Sequence, residues 1–280
     1  MNILYCGDSN VGDGLLISIL SLLKNTKEEL HIWVFTMTAS VGERSFSPVP
    51  DGQIAYLNAM VKERNENNFV KKVDLTERFL QEPPEANLQT RFTPYCMLRL
   101  FADGVKDLPG RVLYLDTDVL CRRDIGEYYR TDLSGYDLAG TLDYYGKWFF
   151  RNNLFHMDYM NSGVLLLNLD KIREDGLFAR CRKMCRTKQM FMPDQSALNK
   201  LAVKKKMPRK YNEQRKLQKD TVIQHFTTSF RFFPWLHTLT VKPWQVERVH
   251  SELKLHEYDD ILEQYQRICP DFRRYGYQNG

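Results

Sequence analysis

The sequence predicts an α/β fold in which a mainly parallel central sheet is flanked by helices. Short apolar runs of strand length alternate along the chain with longer helical patterns, which is typical of parallel sheets. The chain has 280 residues, a length that suits one large domain with at most a small appendage. Hydrophobic residues make up 43% of it, enough to bury a core without disulfides or a structural metal.

The individual elements follow from the apolar patterns. Strands are predicted at residues 2–6, 31–37, 69–75, 111–115, 137–142, 162–169 and 221–226. Helices are predicted at residues 15–23, 51–67, 95–102, 170–186 and 194–202. Residues 81–94 contain three prolines and are predicted to be an irregular loop of the kind that covers a site. We expect one main domain at residues 1–250 and a helical tail at residues 251–280 that packs on it.

Charge is distributed unevenly along the chain. The formal net charge is +5, and basic residues are concentrated in residues 180–188 and 204–219. Such runs usually form solvated helix faces and loops, which is the simplest interpretation. The alternative is attraction to phosphates or to an anionic membrane surface, and hence a peripheral membrane contact. No nucleic-acid-binding motif accompanies the charge, so nucleic acid is not expected as a partner.

The cysteines and the apolar runs predict the cellular compartment. Of the six cysteines only Cys181 and Cys185 are close, and neither a second pair nor nearby histidines complete a zinc site. The sequence contains no run of about 18 apolar residues, which is the length that a membrane-spanning helix needs. The N-terminus has no cationic segment leading into an apolar run. We therefore expect a cytoplasmic location, where thiols stay reduced.

Two carboxylates follow directly on the strand predicted at residues 111–115. Asp116 and Asp118 are two residues apart, so on an extended chain their side chains point the same way. Like charges held together repel, and a hard divalent cation such as Mn²⁺ or Mg²⁺ removes that cost and bridges to diphosphate oxygens. The alternative is a pair of solvated loop aspartates. The position after a buried strand favours a metal site.

A second polar cluster, Gly-Asp-Ser-Asn at residues 7–10, ends the first strand. Asp8 and Asn10 are suited to hydrogen bonds with a base or a ribose, although the same residue types also favour a simple turn. The nearby glycines do not fit the dinucleotide fingerprint, and the chain has no phosphate-binding loop of the Gly-Lys-Ser/Thr type. Ligands of parallel sheets bind at the carboxyl ends of strands, where this cluster and the two aspartates lie.

Five further positions each have a functional and a structural interpretation. Asp194 and Gln195 open a helix and either stabilise its first turn or bind a ligand. Asn161 lies in a turn before an apolar strand, or beside a ligand. His225 follows an apolar strand and is either a buried core histidine or a metal ligand. Lys242 precedes a proline and either contacts a phosphate or is a surface lysine.

These pieces, taken in order, resemble glycosyltransferase family 8, the retaining enzymes similar to bacterial lipooligosaccharide galactosyl- and glucosyltransferases and to glycogenin. The matching stretches are NILYCGDSN, TPYCMLRLFADGVKDLPGRVLYLDTDVLCRRDI, DLAGTLD, MNSGVLLLNLD, MPDQSALN, MPRKYNEQ, IQHF and VKPW. The resemblance implies a GT-A fold with a Rossmann-like sheet. It also implies transfer of a hexose from UDP-glucose or UDP-galactose to a glycan or glycolipid, as in polysaccharide or lipopolysaccharide biosynthesis, with Mn²⁺ or Mg²⁺ as cofactor.

The resemblance also assigns roles to individual residues. The implied metal ligands are Asp116, Asp118 and His225. The residues implied to bind the donor and its nucleotide are Asp8, Asn10, Arg99, Asp116, Thr117, Asp118, Asp143, Asn161 and Lys242. Gln195 lies where the family places the group nearest the reactive face of the anomeric carbon. Gln195 and its neighbour Asp194 are therefore the predicted catalytic residues.

Two features depart from the family pattern. Val11 stands where the family usually has an aromatic residue that stacks on uracil. Residues 226–241, an insertion rich in aromatic side chains, separate His225 from Lys242. This insertion is expected to form either part of an acceptor cleft or part of the core.

Two other functions fit parts of the pattern. An aspartyl-phosphate phosphatase also has Asp-x-Asp after a strand, but that motif normally lies near the N-terminus and here it is mid-chain. A catalytically silent glycan-binding or scaffold protein would keep the fold without turnover. The complete set of Asp116, Asp118 and His225 argues against that alternative.

Overall fold

The computed structural model describes residues 1–41, 43–88, 94–144, 158–231 and 237–277. Its strands are β1 (Asn2–Cys6), β2 (His31–Thr36), β3 (Ala39–Val41), β4 (Arg44–Phe46), β5 (Phe69–Asp74), β6 (Arg111–Leu115), β7 (Val119–Cys121), β8 (Leu138–Leu142), β9 (Met160–Asn168), β10 (Lys204–Lys206), β11 (Ile223–His225), β12 (Ser229–Arg231) and β13 (His237–Leu239). Its α-helices are α1 (Gly12–Asn25), α2 (Asp51–Arg64), α3 (Thr76–Gln81), α4 (Gly126–Tyr129), α5 (Leu169–Glu174), α6 (Leu177–Thr187), α7 (Pro193–Leu201), α8 (Val246–Ser251) and α9 (Asp259–Tyr277). Segments of 3₁₀ helix occupy Glu85–Asn87, Pro94–Gly104 and Arg209–Tyr211.

The central sheet has the strand order β10-β8-β9-β6-β1-β2-β5. Strands β5, β2, β1 and β6 run parallel, as do β8 and β10, whereas β9 runs antiparallel to both neighbours. The predicted α/β fold with a mixed, mainly parallel sheet is confirmed. Because β9 is reversed, its first residues lie at the edge where β1 and β6 end. The N–H of Asp116 donates to the carbonyl of Gly163 there, over 2.8 Å.

Successive side chains of the sheet enter two hydrophobic layers, one on each face. Ile3 and Tyr5 of β1 pack in the layer that contains α1, whereas Leu4 between them packs in the layer that contains Pro94–Gly104. All three side chains have no exposed surface. Burial on both faces explains why the strands appear in the sequence as continuous apolar runs.

The structure divides one predicted helix. The pattern at residues 170–186 forms two helices, α5 and α6, separated by Gly176. The φ angle of Gly176 is 60°, in the left-handed region that glycine adopts without strain. A single glycine therefore ends a pattern that looks continuous in the sequence, and the prediction of one helix is wrong.

The proline-rich segment is partly ordered rather than irregular throughout. Residues 85–87 form a 3₁₀ turn, and the buried side chain of Asn87 donates to the carbonyls of Cys185 and Lys188 over 2.5 and 2.6 Å. These bonds attach the turn to the end of α6. Residues 89–93 of the predicted loop lie outside the described residues.

Helix α9 packs across α1 and α2. Phe272 is fully buried, and its ring lies 5.5 Å from the ring of Tyr56 in α2. Arg273 forms an ion pair of 2.6 Å with Asp13 in the first turn of α1. The boundary predicted at residue 250 falls inside α8. None of the helices in the described ranges is long and apolar enough to cross a membrane.

Candidate active site

The three residues predicted as metal ligands lie together beyond the end of β6. Asp116 and Asp118 follow that strand, and His225 ends β11, which pairs antiparallel with β7. Nε2 of His225 lies 3.1 Å from Oδ1 of Asp118 and 3.6 Å from Oδ2 of Asp116. One ligand atom from each residue lies within 4.8 Å of the others. Two carboxylates and one imidazole fit a divalent cation such as Mn²⁺ or Mg²⁺.

Gly163 allows the histidine and the aspartate to approach each other. A Cβ at this position would lie 2.1 Å from Cε1 of His225 and 2.7 Å from Oδ2 of Asp116. The His225 side chain is buried, so it has little room to retreat. Any side chain larger than hydrogen at residue 163 would therefore displace a ligand.

A chain of hydrogen bonds from the backbone fixes the orientation of the His225 ring. The N–H of Gly163 donates to Oδ1 of Asn161 over 3.0 Å, so the amide atom at that position is the oxygen. The same oxygen accepts from Nδ2 of Asn212 over 2.9 Å. Oδ1 of Asn212 therefore faces Nδ1 of His225, 3.2 Å away, and Nδ1 carries the proton. In the neutral ring this leaves the lone pair of Nε2 directed at the carboxylates, as a metal ligand requires.

Lys242 completes the surroundings of Asp118. Its Nζ contacts Oδ2 of Asp118 and donates to the carbonyl of Phe226 over 3.1 Å. Burial would raise the pKa of Asp118, but His225 and Lys242 outweigh that effect and hold the pKa well below its ordinary value. Burial opposes the charge on His225 too, yet Asp118 and Asp116 raise the pKa of the ring. Although residues 226–241 separate them in sequence, Lys242 and His225 share one carboxylate.

Arg99 links Asp116 to Asp194. The Arg99 side chain is 4% exposed, with Nη2 3.3 Å from Oδ1 of Asp116 and Nε 3.3 Å from Oδ2 of Asp194. It lies over the ring of Tyr114, 3.8 Å from the centroid, and the Tyr114 hydroxyl donates to Asp116 over 2.6 Å. Burial raises the pKa of Asp194, and Arg99 opposes that rise. The arginine, predicted to reach the donor, thus also compensates two carboxylates.

Gln195 is held by bonds to both ends of its amide. The backbone N–H of Ser162 donates to Oε1 over 2.9 Å, and the Ser162 hydroxyl donates to the same atom over 3.1 Å. Nε2 donates to Oδ2 of Asp143 over 2.8 Å. Because a backbone N–H can only donate, the amide orientation is fixed. The predicted catalytic residue is therefore rigidly connected to Asp143, a predicted donor-binding residue.

Asp8 and Asn10 form a turn at the end of β1. The N–H and side-chain amide of Asn10 donate to the carboxylate of Asp8 over 2.9 and 3.2 Å. Val11 packs back on this turn, because a Cβ added to Gly7 would meet its Cγ2 at 2.3 Å. Asn10 also lines a cleft of about 730 Å³ between this turn and the segment that leads into α2. The turn alternative and a ligand-binding role are thus compatible.

Thr117 lies where the metal-site loop meets α1. A Cβ on Gly14 would approach the carbonyl oxygen of Thr117 to 2.8 Å and the ring of Trp244 to 3.0 Å. The first turn of α1 therefore packs directly on the segment that carries Asp116 and Asp118. This contact connects the Asp8 turn, which leads into α1, to the metal centre.

Three residues of this network were not singled out as site residues from the sequence. Asn212 orients His225, Ser162 fixes Gln195, and Tyr114 binds Asp116. Asn212 and Ser162 both lie in the matching stretches quoted above, within MPRKYNEQ and MNSGVLLLNLD. A buried polar side chain inside a matching stretch is the signal that points to them.

Comparison with known proteins identifies the family. The model of glycosyl transferase family 8 matches residues 2–247. The chain belongs to this family. The resemblance drawn from the motifs is therefore confirmed.

The curated relatives are distant and mostly longer than this chain. A putative glycosyltransferase of Haemophilus influenzae is 24% identical over 191 residues, which cover 64% of this chain and 52% of that protein. A probable glycosyl transferase of Streptococcus gordonii is 32% identical over 117 residues, 41% of this chain and only 16% of that protein. The lipopolysaccharide 1,2-glucosyltransferase of Escherichia coli is 25% identical over 272 residues, 92% of this chain and 76% of that protein. The chain thus spans about half the length of the Haemophilus influenzae relative.

Solved structures show the same fold. An active-site mutant of LgtC superimposes with a TM-score of 0.66 at 17% identity, covering 97% of this chain and 96% of LgtC. The galactosyltransferase LgtC in complex with donor and acceptor sugar analogues gives 0.62 at 18% identity, covering 94% and 96%. The bifunctional glycosyltransferase WbbM gives 0.72 at 15% identity, covering 98% of this chain and 51% of WbbM. The predicted GT-A fold is confirmed.

Proposed function

We propose that this protein transfers a hexose from a UDP-sugar, UDP-glucose or UDP-galactose, to a glycan or glycolipid acceptor with retention of configuration. The observation that carries the proposal is the convergence of Asp116, Asp118 and His225, with Lys242 beside them. A departing diphosphate develops negative charge and needs positive charge at one place. A purely glycan-binding protein has no need of such a centre.

The residues of the chain divide the work of binding the donor. Asp116, Asp118 and His225 would hold Mn²⁺ or Mg²⁺, which when bound supplies a Lewis acid to the leaving diphosphate. Lys242 would exchange its contact with Asp118 for the diphosphate oxygens, adding a second positive charge. The residues proposed to hold the nucleotide and the donor sugar are Asp8, Asn10, Arg99, Thr117, Asp143 and Asn161.

Gln195 and Asp194 are proposed to border the anomeric carbon without bonding to it covalently. An amide oxygen is a weak nucleophile, and Oε1 of Gln195 already accepts two hydrogen bonds from Ser162. The Asp194 carboxylate is paired with Arg99. Because Gln195 and Asp194 already have these partners, we propose that the acceptor attacks the anomeric carbon from the face that UDP leaves. The reaction would pass through a short-lived ion pair, in which a UDP oxygen takes the proton of the acceptor. Trapping of a kinetically competent sugar adduct on either residue would overturn this.

We further propose that the reaction takes place at the cytoplasmic face of a membrane that presents the acceptor. The support is the basic character of residues 180–188 and 204–219 and the lipopolysaccharide named for the Escherichia coli relative. Binding to vesicles of anionic phospholipid should weaken as salt is raised, because screening shortens the range of the attraction. Absence of such binding at low salt would remove the membrane contact and leave the transfer reaction untouched.

Calorimetric titration with UDP-glucose and UDP-galactose, with and without Mn²⁺, tests the donor site. We expect binding that depends on Mn²⁺ and disappears in Asp116→Ala/Asp118→Ala. The control is Asp107→Ala/Asp170→Ala, which changes two aspartates whose side chains are 74% and 80% exposed. It should bind as the wild type does.

Two results would contradict the proposal. Equal binding by wild type and the Asp116→Ala/Asp118→Ala variant would place the donor elsewhere. Failure of every UDP-sugar to bind or to be hydrolysed, while glycans still bind, would indicate the silent scaffold. Thermal melts of both variants are needed as well, since Asp116 contacts buried Arg99.

A further inference from the structure

A second cluster of metal-ligating side chains lies at the junction of α8 and α9, apart from the residues assigned above. Nε2 of His250 lies 2.8 Å from Oδ1 of Asp259, and Nδ1 of His256 lies 3.1 Å from Oδ2 of the same carboxylate. One ligand atom from each of the three residues lies within 4.8 Å of the others. Two imidazole nitrogens and a carboxylate thus converge on one small volume.

The turn between the helices brings the two histidines together. Lys254 has a φ of 53°, the left-handed conformation in which glycine is usual. The N–H of Leu255 donates back to the carbonyl of Val249 over 3.3 Å, which closes the turn on the end of α8. As a result the rings of His250 and His256 stack 4.7 Å apart at an angle of 12°. Lys254, in its unfavourable left-handed conformation, thus helps to keep both imidazoles beside Asp259.

The acidic residues next to Asp259 form ion pairs with basic residues outside the cluster. Its neighbour Glu257 pairs with Arg122 at 2.6 Å, and its neighbour Asp260 pairs with Lys24. Within the described part of the chain, the ion pairs of Asp259 are those with His250 and His256. A divalent cation would compensate the carboxylate of Asp259 and would also bond to both imidazole rings.

We propose that His250, His256 and Asp259 bind a transition-metal ion, with Zn²⁺ the best match. Zinc takes imidazole nitrogen and carboxylate oxygen at about 2.0–2.2 Å in a tetrahedron, often with water as a fourth ligand. The side chains of His250 and His256 are 34% and 66% exposed, so water can reach the fourth position. Two nitrogen ligands distinguish this cluster from Asp116, Asp118 and His225, whose oxygen-rich set favours Mn²⁺ and Mg²⁺.

Zinc at this position would join α8 to the start of α9. Helix α9 packs on α1 and α2 through residues such as Phe272, so a bond at its first turn would hold the helix in place. Binding to the folded state alone raises the melting temperature by mass action. The proposal does not depend on the transferase activity, and it is tested without a sugar donor.

The test is a thermal melt of metal-free protein with and without Zn²⁺, together with the number of Zn²⁺ ions bound at equilibrium. The variant is His256→Gln, which changes the most exposed ligand. The control is His31→Gln, which changes a histidine stacked on Phe69 and outside both clusters. We expect Zn²⁺ to raise the melting temperature of wild type and His31→Gln by more than that of His256→Gln, which should bind one ion fewer because it keeps only the cluster of Asp116, Asp118 and His225.

Excess Mg²⁺ separates the two clusters, because Mg²⁺ prefers oxygen ligands and should leave the histidine pair free. With Mg²⁺ present, wild type should still bind one Zn²⁺ ion, and His250→Gln/His256→Gln should bind none. Equal numbers of ions, or equal shifts of the melting temperature, in wild type and His256→Gln would overturn the proposal.

Discussion

Nδ1 of His225 lies 3.2 Å from the amide oxygen of Asn212, and the direction of that bond is set by the backbone of β9. The N–H of Gly163 can only donate, so it determines which amide atom of Asn161 faces it. Asn161 determines the orientation of Asn212, and Asn212 that of the imidazole. The central sheet thus selects the nitrogen of His225 that is available to a metal.

Replacement of Asn212 tests this relay. Asn212→Leu removes the acceptor of the Nδ1 proton, so the ring loses its fixed tautomer and orientation. We expect Mn²⁺-dependent binding of UDP to weaken by about 10- to 100-fold, the usual effect of removing an outer-shell partner of a metal-binding histidine. The unfolding free energy should fall by about 1–3 kcal/mol, because a buried donor is left unsatisfied. Calorimetry and denaturant melts measure the two effects.

The matched control for Asn212→Leu is Asn87→Leu. Asn87 is also buried and hydrogen-bonded, but its partners are the carbonyls of Cys185 and Lys188 and the N–H of Met190, none of which is a metal ligand. This variant should lose a similar unfolding free energy and keep the Mn²⁺ affinity of the wild type. If both variants lost affinity equally, the effect on Asn212 would be one of general destabilisation.

Gly163→Ala should damage the metal site by crowding. The added Cβ would lie 2.1 Å from Cε1 of His225, and overpacking of this kind costs about 1–3 kcal/mol. If that cost falls on the ligands, Mn²⁺ affinity drops by about 10- to 100-fold, since about 1.4 kcal/mol is tenfold. Gly176→Ala is the control, because its φ of 60° strains alanine while nothing lies within 4 Å of the new Cβ. Gly176→Ala should lower the unfolding free energy without lowering the affinity for Mn²⁺. An unchanged Mn²⁺ affinity in Gly163→Ala would contradict the prediction that the new Cβ displaces a ligand.

The sequence predicts the fold well where its signals are local. Apolar runs predict six strands of the central sheet to within a few residues, and β6 (Arg111–Leu115) without error. The seventh strand, β10 (Lys204–Lys206), consists of three lysines and was not predicted, because it has no apolar pattern. Sequence patterns do not reveal the single left-handed glycine that splits residues 170–186, because Gly176 has ordinary neighbours. They also do not predict pairing, so the reversal of β9 appears only in the structure.

The candidate site divides in the same way. Asp116 and Asp118 are identifiable because they follow a buried strand two residues apart, and the structure brings His225 to them. Asn212 and Ser162 act through contacts with residues 13 and 33 positions away, which no local pattern encodes. Long-range hydrogen bonds between buried polar groups are therefore the part of the site that needs coordinates.

Arg99→Met should leave two carboxylates without their shared cation. Removing one partner of a buried ion pair costs about 3–5 kcal/mol, and the Arg99 side chain is only 4% exposed. Asp194 already has a pKa raised by burial, so the folded state binds its proton more tightly than the unfolded chain does. Stability from such a group rises as pH falls, so the deficit of Arg99→Met in unfolding free energy should narrow as the pH is lowered towards the raised pKa of Asp194. A second variant, Arg99→Met/Asp194→Asn, should recover part of the loss, and a deficit independent of both pH and Asp194 would exclude this cause.

The packing of α9 predicts that the C-terminal segment contributes to global stability. Phe272 is fully buried against Tyr56, so Phe272→Ala should lower the unfolding free energy by about 3–5 kcal/mol through lost burial and the cavity it leaves. Arg274 is two residues away in the same helix, and its ion pair with Asp271 is 75% and 67% exposed, so Arg274→Ala should change stability by less than about 0.5 kcal/mol. Urea denaturation followed by circular dichroism measures both. A single transition that shifts for Phe272→Ala alone means that α9 unfolds with the sheet, whereas an unchanged midpoint for Phe272→Ala would mean that the segment is an independent appendage.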